Sequence, residues 1–226
     1  MKPSHTIRPV FDDPDLVSAA GLVPALRLAE SAGFHDLLGA LSVPAANAGA
    51  KAASVVGGML AGADSIDDLD LLRHGGMVRL FGGVRAPSTL GTFLRSFTHG
   101  HVQQLDKIGA GLLTGLATRV PKLLAGSDQI AFVDVDDAVR EVHGYGKPGA
   151  AFGYTRHRGL NLQLATISTP TAAPVIARAR LRAGNTASAT GAGRLLGQAI
   201  KTARAAGVTL RLPEVCHQGS GRPVTT

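Results

Sequence analysis

The chain has 226 residues, of which 45% are hydrophobic and 17% charged, a composition typical of a globular protein with one large or two small domains. Its single cysteine, Cys216, excludes an intramolecular disulfide and a cysteine-rich zinc site, and it favours a reducing compartment. The first residues lead into no apolar signal core, and no apolar run approaches the roughly 18 residues of a membrane span. We therefore expect a soluble, cytoplasmic protein with no membrane partner.

The net charge of +7 comes entirely from the second half of the chain. Residues 1–128 hold 11 basic and 11 acidic residues, whereas residues 129–226 hold 12 and 5. No acidic residue lies between positions 142 and 213, where ten basic residues occur. A segment that carries only positive charges is typical of a surface that binds a polyanion such as DNA. The alternative interpretation is that the segment adheres to other molecules non-specifically. The candidate DNA-binding residues are Lys147, Arg156, Arg158, Arg178, Arg180 and Arg182.

Helical periodicity dominates the first half of the chain. The predicted helices cover residues 23–33, 34–41, 52–63, 66–73, 77–81, 89–97 and 102–120. Gly57, Gly58 and Gly62 weaken the third of these helices, which indicates that it packs closely against a neighbour. His99 and His101 are two residues apart and cannot share a helix face, so we interpret them as surface residues or helix caps and not as metal ligands.

From residue 129 the pattern changes to that of strands. A short apolar and β-branched run predicts a buried strand over residues 129–137. Further strands are predicted over residues 140–145, 160–168, 175–181 and 208–212. A long helix that begins at Ser188 or Thr190 and ends near residue 206 precedes the last of them. The fold class is therefore α+β, with an N-terminal all-α module.

Three carboxylates lie close together at the end of the first predicted strand: Asp134, Asp136 and Asp137. Asp is a poor strand former and is costly to bury without a partner, so this cluster needs a counter-charge. Hard oxygen ligands of this kind suit Mg²⁺ or Mn²⁺. The alternative is a solvated Asp turn at the end of the strand.

Three motifs together resemble the DDE transposases of bacterial insertion sequences, of the transposase DDE domain group 1 type. The first is the stretch 55–62 followed by DSIDDLDLLR at 64–73, and the second is PSTLGTFL at 87–94. The third and most specific is FVDVDD at 132–137 followed by His143 and Gly144. The resemblance covers residues 1 to about 208. It places the chain among proteins of DNA transposition and DNA recombination.

The resemblance implies an RNase H-like core in which two divalent metals, Mg²⁺ or Mn²⁺, cut and rejoin DNA. The metals are held by Asp, Asp and Glu in the family. Asp136 is then the first catalytic metal ligand, with Asp134 as the fallback assignment and Asp137 as a further candidate. The family carries a hydroxylated residue two positions after this ligand, whereas this chain has Ala138. The partner implied is double-stranded DNA at transposon ends.

The rest of the ligand set is missing from the expected places. The family places its second Asp just past the strand after the long helix, but only Glu214 follows the acid-free segment here. We therefore expect a C-terminally truncated transposase that does not cleave DNA alone. Its predicted parts are a helical DNA-binding or accessory module (1–125), the first half of the RNase H-like domain (126–212) and an aberrant tail (213–226). A half-core should expose a sheet edge, which favours a homodimer or association with full-length transposase.

Three alternatives remain open at this stage. The first is a non-catalytic DNA-binding or regulatory product, and the second is an inert product. The third is a metal-dependent nuclease that is complete within this chain. A complete nuclease needs further carboxylates near Asp136, and only Asp134, Asp137, Glu141 and Glu214 could serve.

Overall fold

The computed structural model of the protein describes residues 13–144 and 146–209. Within these residues the chain forms eight helices and a four-stranded antiparallel sheet, which confirms the predicted α+β class. The described residues divide into two compact units: residues 13–27 with 38–97, and residues 28–37 with 98–209. Helices α1 (Leu22–Ser31) and α2 (Phe34–Gly39) each contribute residues to both units.

The first unit is helical, as predicted for the N-terminal half. Its remaining elements are α3 (Ala48–Leu60), a 3-10 helix (Asp67–Arg73), α4 (Met77–Leu80) and α5 (Pro87–Arg95). The helix predicted over residues 89–97 begins two residues earlier, because Pro87 occupies its first turn and Ala86 is the N-cap. Proline suits that position, since the first amides of a helix have no intrahelical partner.

Close packing explains Gly57 and Gly58 in α3, whereas Gly62 lies beyond the last residue of this helix, Leu60. A Cβ on Gly58 would overlap the side chain of Leu69, and one on Gly57 would touch Leu72 at 3.4 Å. The 3-10 helix therefore approaches the backbone of α3 directly, which confirms the prediction for these two residues. Gly62 has open space around it but a φ of +93°, a conformation that a residue with a Cβ rarely adopts.

The second unit is built on three long strands and one short strand. They are β1 (Phe132–Glu141), β2 (Ala151–Phe152), β3 (Arg158–Ser168) and β4 (Val175–Ala183). The central strand β3 pairs with β1 on one edge, and with β4 and the short β2 on the other. No strand in the described part of the chain pairs with the outer edge of β1.

Two helices of the second unit, α6 (His99–Arg119) and α7 (Ala192–Ala205), pack against the strands. Along α7, the fully buried Leu195, Ala199 and Ala203 contact a core that includes Val133 and Ile167. Small alanines let the helix backbone come close to the sheet, and complete burial of each larger apolar side chain contributes about 1.5–3 kcal/mol. The core of the second unit therefore lies between α7 and one face of the sheet.

Two predicted boundaries differ from the structure. The predicted strand 140–145 does not exist separately, because β1 continues without a break to Glu141. The predicted domain boundary at residue 125 falls inside the second unit, since α6 packs on β4 and α7. Residues 28–37 join that unit because α6 lies close to them: Gly115 leaves no room for a Cβ beside Ala32. The predicted strand 208–212 lies mostly outside the described residues, as does the tail 213–226.

Helices in the described ranges are too short or too polar to cross a bilayer.

Candidate functional site

The carboxylates of β1 are divided between the two faces of the sheet. Side chains alternate along a strand, and the buried Val133 and Val135 identify the face that packs on α7. Asp137 shares that face, whereas Asp134 and Asp136 point to the opposite one. The structure therefore does not bring the three predicted metal ligands together as one cluster.

Asp137 is held by a network of polar side chains beside α7. Its Oδ2 atom accepts hydrogen bonds from Asn161 Nδ2 at 2.7 Å and Ser188 Oγ at 3.0 Å. The guanidinium of Arg182 lies 3.4 Å from the same oxygen, and the two side chains are only 8% and 10% exposed. The counter-charge that this carboxylate requires is thus an arginine of β4.

Arg182 is anchored more firmly than this single ion pair suggests. It donates to Asn161 Oδ1 through Nε at 2.9 Å and through Nη2 at 2.7 Å, and its Nη1 donates to the carbonyl of Thr190. Burial lowers the pKa of Arg182 and the neighbouring Arg180 adds to the decrease, while Asp137 opposes it. Arginine nevertheless keeps its proton, so the pair remains ionic.

Asp136 is exposed to solvent, and Asp134 on the same face is half-buried. In the sheet Asp136 lies opposite Leu164 and Asp134 lies opposite Thr166. Asp136 Oδ1 accepts the backbone N–H of Asp137 at 2.8 Å, which leaves lone pairs of the carboxylate available. Asp134 and Asp136 are two positions apart on the strand, so their Cα atoms are separated by about 6.6 Å.

These two carboxylates have the right chemistry for Mg²⁺ or Mn²⁺, but they fill only part of the coordination shell of the ion. In the described ranges no three His, Cys, Asp or Glu side chains form a group that could hold a metal. Glu141 and Asp137, which a complete nuclease would need near Asp136, lie on the opposite face of β1 by alternation. Glu214 lies outside the described residues.

Three of the predicted DNA contacts are engaged within the protein. Arg178 Nη2 pairs with Asp106 Oδ2 of α6 at 2.5 Å, with the two side chains 11% and 6% exposed. Arg180 Nη2 donates to Gln198 Oε1 of α7 at 2.7 Å. Arg178 and Arg180 thus fix β4 to α6 and α7, and Arg178 and Arg182 are each neutralised by a carboxylate within the protein. Neutralisation within the protein therefore accounts for part of the acid-free segment.

The other three predicted contacts lie near the loop before β3. Lys147 and Arg156 are exposed, and Arg156 adopts a left-handed φ of 60°. Arg158 is half-buried and donates from Nη1 to the carbonyl of Gly144 at 2.7 Å. Of the six predicted residues, Lys147 and Arg156 are therefore the ones whose side chains are classed as exposed to solvent.

Several residues of the polar network were not predicted. Asn161 and Gln163 are almost completely buried, whereas their neighbours on the strand, Leu162 and Leu164, are only half-buried. The alternation of β3 predicts a strand but does not identify its buried face. The signal in the sequence is that Asn161 and Gln163 alternate in phase with Ala165 and Ile167, so a polar pair and an apolar pair share one face.

The three motifs behind the family resemblance fall on defined elements. The stretch 64–73 includes the 3-10 helix, 87–94 lies in α5 and 132–137 lies in β1. No protein-family model, curated protein or solved structure matches the chain. The resemblance to DDE transposases therefore rests on the sequence motifs and stays a prediction.

Proposed function

We propose that the chain supplies the helical module and the first part of the catalytic core of a DDE transposase, which acts in DNA transposition of an insertion sequence. One observation supports this proposal most strongly. The long strands β1, β3 and β4 form an antiparallel meander, α7 follows and packs on it, and an exposed Asp136 lies on the first strand. This order is the one expected for the first part of an RNase H-like core.

Among the β1 carboxylates, Asp136 is the best candidate for the first catalytic ligand. Asp137 is neutralised by Arg182 and occupied by two further donors, so its release to a metal would leave a buried cation unpaired. Among the described residues Asp136 has no such partner, and it faces solvent. Asp134 shares its face and remains the fallback assignment.

Asp136 and Asp134 alone do not complete a metal site, so no catalytic step is assigned to this chain by itself. The remaining ligands would have to come from residues outside the described ranges or from another protein. We therefore expect the purified chain to bind DNA without cutting it. The exposed Lys147 and Arg156 would contribute contacts to phosphates, each of which weakens as the salt concentration rises.

The test uses duplexes taken from the DNA that flanks the coding region, where transposon ends would lie, with shuffled duplexes as controls. Gel shifts should show preferential binding to a flanking duplex, with or without Mg²⁺, and no cleavage product should form. Equal binding to the shuffled duplex would contradict a role at transposon ends. The control variant is Asp128→Ala, because Asp128 is an exposed aspartate outside β1. If the protein cuts DNA in a metal-dependent way, and if Asp136→Ala but not Asp128→Ala abolishes the cutting, the metal site is complete and the proposal is wrong.

A second candidate is a DNA-binding regulator without catalysis, which the lack of a metal-holding group in the described residues favours. Such a protein would bind transposon ends or associate with a full-length transposase. The two proposals differ at Asp136. If the chain is only a regulator, Asp136→Ala leaves both DNA binding and divalent-cation binding unchanged.

A further inference from the structure

A cavity of about 660 Å³ lies within the second unit, between α6, β4 and the N-terminal part of α7. Its volume falls in the range of natural ligand sites, which is about 300–1,000 Å³. Polar side chains make up most of its wall. The charged and titratable ones are His99, Asp106, Lys107, Arg178, Arg180, Arg182 and Arg194.

The wall of this cavity carries a strong excess of positive charge. Lys107 and the four arginines are cationic, and Asp106 is the single carboxylate in the lining. Asp106 pairs with Arg178, and Asp137 behind the wall pairs with Arg182. In the described part of the chain, Lys107, Arg180 and Arg194 have no carboxylate partner.

The arginines are crowded, and part of their hydrogen-bonding capacity is unused. The Nε atoms of Arg178 and Arg180 are buried, and among the described residues neither has a hydrogen-bond partner. The Arg180 charge contributes to the lowered pKa of Arg182, which means that the like charges repel each other inside the wall. Buried donors without partners and neighbouring positive charges both cost free energy. An anion bound in the cavity would reduce that cost.

From this geometry we propose that the cavity is a binding site for a phosphate group. Guanidinium groups are planar donors that match two oxygens of a phosphate at once, and Lys107 would add a mobile point charge. Gln103, Thr186 and Gln198 supply neutral polar groups around the same space. The proposal does not depend on the transposase assignment, because it concerns a phosphate whichever molecule carries it.

Two sources could present this group: a phosphodiester of DNA, or a free phosphate or small phosphorylated molecule. The key variant is Arg194→Gln, because Arg194 is exposed, lines the cavity and pairs with no carboxylate in residues 13–144 and 146–209. Its matched control is Arg204→Gln, which removes the same charge from an exposed position on the same helix but outside the cavity.

Binding of inorganic phosphate is measured by calorimetry on the whole chain, with circular dichroism spectra to check that each variant is folded. We expect Arg194→Gln to weaken phosphate binding about tenfold and Arg204→Gln to change it less than about twofold. A short duplex that displaces phosphate identifies DNA as the source, whereas a duplex that does not displace it identifies a small phosphorylated ligand. Absence of phosphate binding, or equal effects of the two variants, would overturn the proposal and leave the role of Asp136 untouched.

Discussion

Removal of the Asp137 carboxylate should destabilise the protein much more than removal of its neighbour. In Asp137→Ala the guanidinium of Arg182, 8% exposed, loses its counter-charge. Breaking one side of a buried ion pair typically costs about 3–5 kcal/mol. Because Arg182 keeps Asn161 Oδ1 and the carbonyl of Thr190 as acceptors, we expect the lower end, about 3 kcal/mol.

The matched control is Asp136→Ala, one residue away on the exposed face of the same strand. It should change the free energy of unfolding by no more than about 0.5 kcal/mol. At about 2–4 °C per kcal/mol, Asp137→Ala should lower the melting temperature by roughly 6–12 °C. Circular dichroism during thermal and urea unfolding measures both quantities.

A double variant tests the cause of the loss. Replacing Arg182 by Met in the Asp137→Ala background removes the unpaired charge and should recover part of the stability. If Asp137→Ala is no more destabilising than Asp136→Ala, or if the double variant recovers nothing, the assignment of Asp137 to a buried ionic network is wrong.

Two further predictions concern other parts of the structure. Hydrogen bonds from the Ser65 hydroxyl and backbone lower the pKa of Asp68, so Ser65→Ala should raise that pKa toward the usual range in an NMR titration. A carboxyl group whose pKa is lower in the folded protein stabilises the fold at pH values above its unfolded-state pKa. The contribution of Asp68 to the free energy of unfolding should therefore disappear as the pH falls through its folded-state pKa. In α6, Gly115→Ala should destabilise the protein by about 1–3 kcal/mol, because the new Cβ would overlap the Ala32 carbonyl. Gly109→Ala, with open space in the same helix, should instead stabilise it by up to about 1 kcal/mol in urea unfolding.

Periodicity was sufficient to predict the types of most elements. The apolar spacing of α6 and the alternation of β3 are strong local signals, and both elements form close to the predicted positions. The end of β1 was predicted less well, because aspartates disfavour strands locally. Asp137 is nevertheless accommodated in β1 because Arg182 reaches it from 45 residues away, and no local pattern contains that contact.

The role of the basic segment also depends on distant contacts. Counting charges along the chain treats Arg178 as available to DNA, but its partner Asp106 lies 72 residues earlier, on a helix assigned to another module. In the same way, the alternation of β3 gives two possible faces and does not say which one packs on α7. Only the tertiary structure shows that the face with Asn161 and Gln163 is buried.

We propose that the carboxylates of β1 have separate roles: Asp137 stabilises the fold, and Asp136 is left to bind a divalent cation. Paramagnetic line broadening by Mn²⁺ in NMR spectra tests this residue by residue. We predict that amide signals of residues 134–136 broaden at the lowest Mn²⁺ concentrations, and that Asp136→Ala but not Asp128→Ala removes the effect. First broadening elsewhere in the protein, or unchanged broadening in Asp136→Ala, would contradict it.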